Sequence, residues 1–366
     1  MKYQQLAKSG LGLLYFASYI LTTVPAQLLL IFLFLMQPRV PRKVAFYLIF
    51  CIIYFVGIIA INPSVIPLRN MFFYFSFVMP FLIMLSTRNR VNYFTITEKF
   101  MVVVCTVTVV EAIIINSPLG TNIWFLPANH VHRVLMFNGL YQRPLGISGV
   151  ASSSAALIVF SLVLSDVFKE KWRFLSKKNI LAILALIVLA SGTGFVLFMI
   201  YLIMKLFSNV FSIQRMGLVV KIAVFSFVGV LFLGASSNLF LADGFNKFSF
   251  VYVSYIFQNK VMSFESLQLA SLVEVLFGGQ ISQENPVFAT ASDFGYLSMF
   301  NAIGIFGSLL VLSAPLLFSR SIRFFIIPTI FFYMCFLHYP ALLSPPGAVL
   351  FALYLYILST HRIINR

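Results

Sequence analysis

Charge is what this chain has least of. Of its 366 residues only 9% are Asp, Glu, Lys or Arg, against about a quarter in soluble domains. With 61% of the residues hydrophobic, there is too little polar material to dress a surface for water. A water-soluble globular fold is excluded, and an integral membrane protein is what remains. Acidic residues are scarcer than basic ones, nine against 25, which leaves a net charge of +16. Such a charge can signal nucleic acid, but here the basic residues sit in short loops between apolar runs, as membrane orientation signals do. Cysteine is limited to Cys51, Cys105 and Cys335, each inside an apolar run and without metal-ligand or CxxC spacing; they read as small buried hydrophobes. Missing too are a Walker loop, GxSxG, HExxH and paired DxD carboxylates, so ATP hydrolysis, serine hydrolysis and zinc peptidase chemistry have no support. No repeated halves of the kind seen in many transporters are visible. The first apolar run is too long for a signal-peptide core, and no cleavable leader is expected.

What is present is a series of apolar runs: 11–36, 44–61, 71–86, 100–116, 150–167, 180–207, 217–241, 294–318, 324–338 and 347–360. A spanning helix needs about 20 apolar residues. The run 180–207 is interrupted by Ser191-Gly192-Thr193-Gly194, and reads as two short helices or one long tilted one. The run 11–36 has the same ambiguity at Thr22-Thr23-Val24-Pro25. Of the 25 basic residues, 20 fall in one set of alternate loops and termini; the other set holds only Arg69, Arg133, Arg143, Lys247 and Lys260. That asymmetry orients the chain with its basic loops in the cytoplasm. It keeps parity only if 180–207 crosses twice. The expected fold is all-α, a single polytopic transmembrane domain over 1–366 with about 10–12 spans and a cytoplasmic C-terminus.

Two outer loops are long, 117–149 and 242–293, and loops of this length are usually functional. Within the second, 249–275 has the spacing of an amphipathic helix lying on the membrane surface. Positive residues are selected against on the outer side, so those that remain there need a reason. Arg143 lies in Gln142-Arg143-Pro144-Leu145-Gly146, just before a helix that opens with Ser152, Ser153 and Ser154. A guanidinium beside a helix N-terminus suits phosphate, and Arg133 upstream makes a two-arginine clamp on a pyrophosphate possible. Lipid headgroup contact is the alternative for both. His130 and His132 are two residues apart with no cysteine or carboxylate nearby, which does not suit a metal.

Three further side chains are candidates for catalysis. His338 precedes a short outer loop and is either a general base or a helix-end histidine bonded to a carbonyl. Glu111 lies about one turn inside the outer end of its run. An intramembrane carboxylate needs a partner, so it either orients an arginine, serves as a base, or belongs to a structural pair. Asp293 opens the run Ser292-Asp293-Phe294-Gly295; it either caps the helix or meets a sugar hydroxyl.

These motifs together resemble the bacterial O-antigen or oligosaccharide repeat-unit polymerases (Wzy-type), within the group that includes the O-antigen ligases. The residues that carry the likeness are Arg143-x-x-Gly146 leading into a helix, Ser191-Gly192-Thr193-Gly194, Leu276-Phe277-Gly278-Gly279 in a long outer loop, and Ser292-Asp293-x-Gly295-Tyr296-Leu297 before Gly304-x-x-Gly307. Many relatives carry an acidic residue and a proline shortly after Arg-x-x-Gly; here Gly149-Val150-Ala151-Ser152 stands instead. The resemblance implies a glycosyltransferase of the inner membrane, free of metal and cofactor, with its site facing the periplasm. Its substrates would be undecaprenyl-pyrophosphate-linked glycans, and a chain-length regulator is a further partner. Arg143 and Arg133 would hold the pyrophosphate, and His338, Asp293 and Glu111, in that order, are candidates to act on the acceptor hydroxyl. Transfer of finished chains to a lipid A core (a ligase) and movement of lipid-linked oligosaccharide (a flippase or transporter) stand as alternatives.

Overall fold

The computed structural model describes residues 42–61, 73–86, 93–117, 135–136, 141–167, 176–210, 272–278, 295–319 and 326–360. Over these the chain is mostly helical: α1 (Arg42–Ile61), α2 (Val78–Ser86), α3 (Tyr93–Ile115), α4 (Ala151–Val167), α5 (Lys177–Leu189), α6 (Gly192–Val210), α7 (Leu272–Phe277), α8 (Gly295–Phe318), α9 (Ile326–Met334) and α10 (Pro345–Thr360), with a 3-10 turn at Ala341–Leu343. The one departure from all-α among the described residues is a two-stranded antiparallel ribbon, β1 (Leu135–Met136) with β2 (Tyr141–Gln142). It sits in the long loop 117–149. The amphipathic stretch expected over 249–275 lies outside the described residues except for the start of α7.

Helices α1 and α8 are long and apolar enough to cross a membrane. Helix α1 leaves large hydrophobics such as Phe46, Phe50, Ile53 and Val56 exposed on its free face, a surface that water does not tolerate and lipid does. Its other face carries Tyr47, Cys51, Tyr54 and Ile58, all buried. This spacing of three to four residues is one stripe of a helix.

The centre of the molecule is α4. Every residue from Ala151 to Asp166 is buried, and α3, α5, α6, α9, α10 and the 3-10 turn all pack on it. Its opening Ala-Ser-Ser-Ser-Ala-Ala explains the crowding. Small side chains let backbones approach where lipid offers no hydrophobic drive between helices. A Cβ placed on Gly194 of α6 would collide with Ala155. Two hydroxyls along α4 are satisfied within the helix: Ser161 Oγ donates to Leu157 O and Ser165 Oγ to Leu162 O. A ring cluster completes the core, with Phe77 on Phe351 at 4.0 Å, Phe332 on Phe351 at 4.7 Å and Phe160 edge-on to Tyr354 at 5.4 Å.

Individual contacts fix the direction of each helix. Lys178 pairs with Glu98 near the starts of α5 and α3, while Tyr141, whose neighbour Gln142 bonds Asn116 at the end of α3, donates to Val188 O at the end of α5. These two helices therefore run the same way. Gly194 meets Ala155 at the starts of α6 and α4, and Asp166 accepts from Lys205 Nζ at 3.2 Å and from the Tyr201 hydroxyl near their other ends. So α5 and α6 run in opposite directions. The run 180–207 is a pair of helices, broken at Ala190 in the left-handed region (φ 43°), as charge parity requires.

The second half follows the same logic. Tyr54 donates to Ile303 O and Tyr47 to Leu310 O, which sets α1 antiparallel to α8. Tyr74 reaches Ser298 and Phe81 reaches Phe318, so the 73–86 segment runs with α8. That segment is not one span but a turn at 75–77 followed by α2. Cys335, at the end of α9, lies 4.0 Å from Ala156 O, and Gly295 abuts the backbone of Phe336, Tyr339 and Pro340. The helix expected over 324–338 stops at Met334, and 335–340 turns instead. The result is a bundle with two distinct ends. Arg42, Lys43, Lys99, Lys177, Lys178 and Lys205 lie toward one. At the other gather residues 116–117, 141–150, 188–194, 295 and 335–343, and Arg143 is the one Lys or Arg there among the described residues.

Candidate functional site

The turn carrying Arg143 is built from its neighbours inward. Asn116, just past the end of α3, clamps the backbone of Gln142: its Nδ2 donates to Gln142 O at 2.9 Å and its Oδ1 accepts from Gln142 N at 2.7 Å. Glu111, one turn earlier on α3, is fully buried. Its two carboxylate oxygens accept from Leu145 N at 3.2 Å and Gly146 N at 2.7 Å. Ser154, in the first turn of α4, donates to Leu145 O at 2.9 Å and accepts from Ser148 N at 3.2 Å. Arg143, half-buried, is therefore mounted between one pair of backbone bonds before it and another after it. Gly146 closes the turn at φ +70°, where a Cβ would stand 2.5 Å from Ser154 Oγ and 3.1 Å from Thr108 Oγ1. Only glycine fits both the dihedral and the space.

Tyr141 reports the electrostatics of the turn. Its hydroxyl donates to Val188 O at 2.5 Å. Burial pushes its phenol up to about 12; the Glu111 carboxylate adds to the rise and the Arg143 guanidinium opposes it. Both charged groups thus act on one ring, and the phenol stays protonated through the neutral range. Tyr141 is a fixed donor, not a base.

Here the amides of Gln142, Leu145, Gly146, Ser148 and Gly149 are occupied by Asn116, Glu111, Ser154 and the carbonyl of Gly146. A carboxylate fills the place an anion would take in such a turn. Within this turn, then, the guanidinium side chain and not these amides is the group open to an anion's chemistry.

Of the sequence candidates, Glu111 and Arg143 are brought to the same turn. His338 lies at the same end of the bundle but in the 335–340 turn after α9, half-buried and 4.4 Å from the Tyr339 ring. Arg133, Asp293, His130 and His132 lie outside the described residues. Among the described residues no three His, Cys, Asp or Glu side chains gather to hold a metal ion. Sequence reasoning passed over Asn116 and Tyr141. Their only signals are positional: an amide directly after an apolar run, and a tyrosine two residues before the arginine. Comparison with protein-family models, with curated proteins and with solved structures found no match.

Proposed function

We propose that this chain is a polytopic inner-membrane glycosyltransferase that polymerises oligosaccharide repeat units carried on undecaprenyl pyrophosphate, with its site at the periplasmic face. The observation that carries the reading is the position of Arg143. Six basic side chains lie toward one end of the bundle, and Arg143 stands alone among the described residues at the other, on a turn pinned by Glu111, Asn116 and Ser154. Basic residues mark the cytoplasmic side, so the Arg143 end faces the periplasm. A guanidinium kept at that end against the usual bias suits contact with an anionic substrate group.

In the reaction, the acceptor hydroxyl oxygen attacks the anomeric carbon of the growing chain. The bond from that carbon to the carrier pyrophosphate breaks, and the hydroxyl proton passes to a base. Negative charge gathers on the departing pyrophosphate, and a preorganised guanidinium stabilises it without a metal. Arg143, with Arg133 as second cation, takes that role. His338 and Asp293 are the candidates for the proton. Glu111 moves from the catalytic group to a positioning one, because both its oxygens already hold the Arg143 turn. The bilayer confines both lipid-linked substrates to one plane and favours their encounter.

The test is the surface-glycan profile of a deletion strain. The reading expects single repeat units on the lipid A core. Carrier-linked polymer with an uncapped core would indicate a ligase instead, and accumulation at the cytoplasmic side a flippase.

A further inference from the structure

Helix α8 is interrupted in its outer half. Gly304 adopts φ 62°, ψ −175°, outside the helical region. The break is butted by the end of α7: a Cβ on Gly304 would collide with Leu276 O and Phe277 N, and one on Gly278 would stand 2.7 Å from Ala302 O. Helix breaks inside apolar spans persist where their polar groups are buried in protein or serve a ligand. One freed group is accounted for, since Ile303 O accepts from the Tyr54 hydroxyl. The side chain of Asn301 is not. It is 7% exposed, and among the described residues neither its Nδ2 nor its Oδ1 has a hydrogen-bond partner. Ser308, on the far side of the break, is fully buried and its hydroxyl likewise has no partner among the described residues.

A buried amide with neither donor nor acceptor used is costly in ordinary folds, and such groups are rarely kept without a reason. Its demand is specific. Asn301 offers two N–H donors and one carbonyl acceptor, Ser308 one O–H donor and its accepting oxygen, and neither carries charge. The complementary ligand is a neutral group that both accepts and donates: a hydroxyl. A phosphate would leave the amide oxygen facing another oxygen, and a cation would find no carboxylate. We propose that Asn301, with Ser308, forms a sugar-hydroxyl subsite at the α8 break, separate from the Arg143 turn. The identification of the hydroxyl as a glycan's rests on the glycosyltransferase reading; the neutral, hydroxyl-bearing character rests on Asn301 and Ser308 alone. Helix α7, six residues long and packed chiefly on α8, is the element whose displacement would open the break to a ligand.

The experiment uses the full-length protein in detergent and follows its melting temperature with two separate probes. One is the repeat-unit oligosaccharide released from its carrier; the other is undecaprenyl pyrophosphate without sugar. Oligosaccharide is expected to stabilise the wild type and Arg143→Ala alike. Asn301→Leu should melt higher than wild type without ligand, because an unsatisfied polar group has gone, and should bind the oligosaccharide about tenfold more weakly or worse. Ser308→Ala gives the same pattern in milder form, and serves where Asn301→Leu does not fold. Failure of the oligosaccharide to stabilise the wild type, or an undiminished effect on the folded variants, overturns the subsite and leaves water as the occupant. Failure of undecaprenyl pyrophosphate alone to stabilise the wild type counts against the Arg143 reading and not against this one.

Discussion

Glu111 is the residue on which the Arg143 turn depends. Fully buried, it trades the solvation of a carboxylate for two backbone amides that fix the Arg143 turn. Removing it leaves those amides buried and unpaired. Glu111→Ala should therefore lower unfolding stability by roughly 2–5 kcal/mol, read by denaturant or thermal unfolding in detergent. Glu111→Gln keeps one acceptor oxygen and should lose less. A catalytic base would show the opposite ranking of effects: activity abolished in both variants with stability little changed. Arg143 lies one step further out. Its guanidinium presents a planar fork that lysine cannot reproduce, so Arg143→Lys should fall well short of wild-type activity despite keeping the charge.

The turn and the helix break are the elements that decide geometry. Gly146 joins the Arg143 turn to α4 at a positive φ with Ser154 against it. Gly146→Ala should destabilise the protein by about 1–3 kcal/mol and reduce activity through the displaced arginine, measured as melting temperature and turnover on the same preparation. At this scale the sequence was partly readable. The positions of α1, α4 and α10 followed from their apolar runs, and the break in 180–207 from Ser191-Gly192-Thr193-Gly194 together with charge parity. Others were not readable. The 71–86 and 324–338 runs look continuous by composition, yet they give a turn at 75–77 and another at 335–340. Hydrophobicity reports which residues lipid accepts, not where the backbone stops being helical. The pinning of Arg143 by Glu111 was equally hidden, because it joins residues 35 positions apart through main-chain atoms that carry no side-chain signature. What could be read was that Glu111 required a partner.

The whole molecule has a polarity that its parts only hint at. Contacts such as Tyr54 with Ile303, Lys178 with Glu98, Gly194 with Ala155 and Cys335 with Ala156 set the directions of the described helices they join. The directions they set bring the described lysines to one end. The loop-charge asymmetry read from the sequence is in agreement with that arrangement. The agreement has a direct consequence for accessibility. With Cys51, Cys105 and Cys335 buried, background labelling should be low, and a cysteine introduced at Ala190 should react with an impermeant thiol reagent in intact cells. One introduced at Ser176 should react only after the membrane is breached. The reverse pattern would invert the bundle and remove the Arg143 turn from the periplasmic face.

The central claim is that Arg143 supplies the positive charge the departing pyrophosphate needs. The most direct measurement is the surface-glycan ladder of a deletion strain complemented with Arg143→Ala, expressed and inserted at the wild-type level. A preorganised cation of this kind is worth on the order of 100-fold or more in rate, so the expected result is collapse of the ladder to single repeat units on the core. A ladder with wild-type length and abundance would contradict the account.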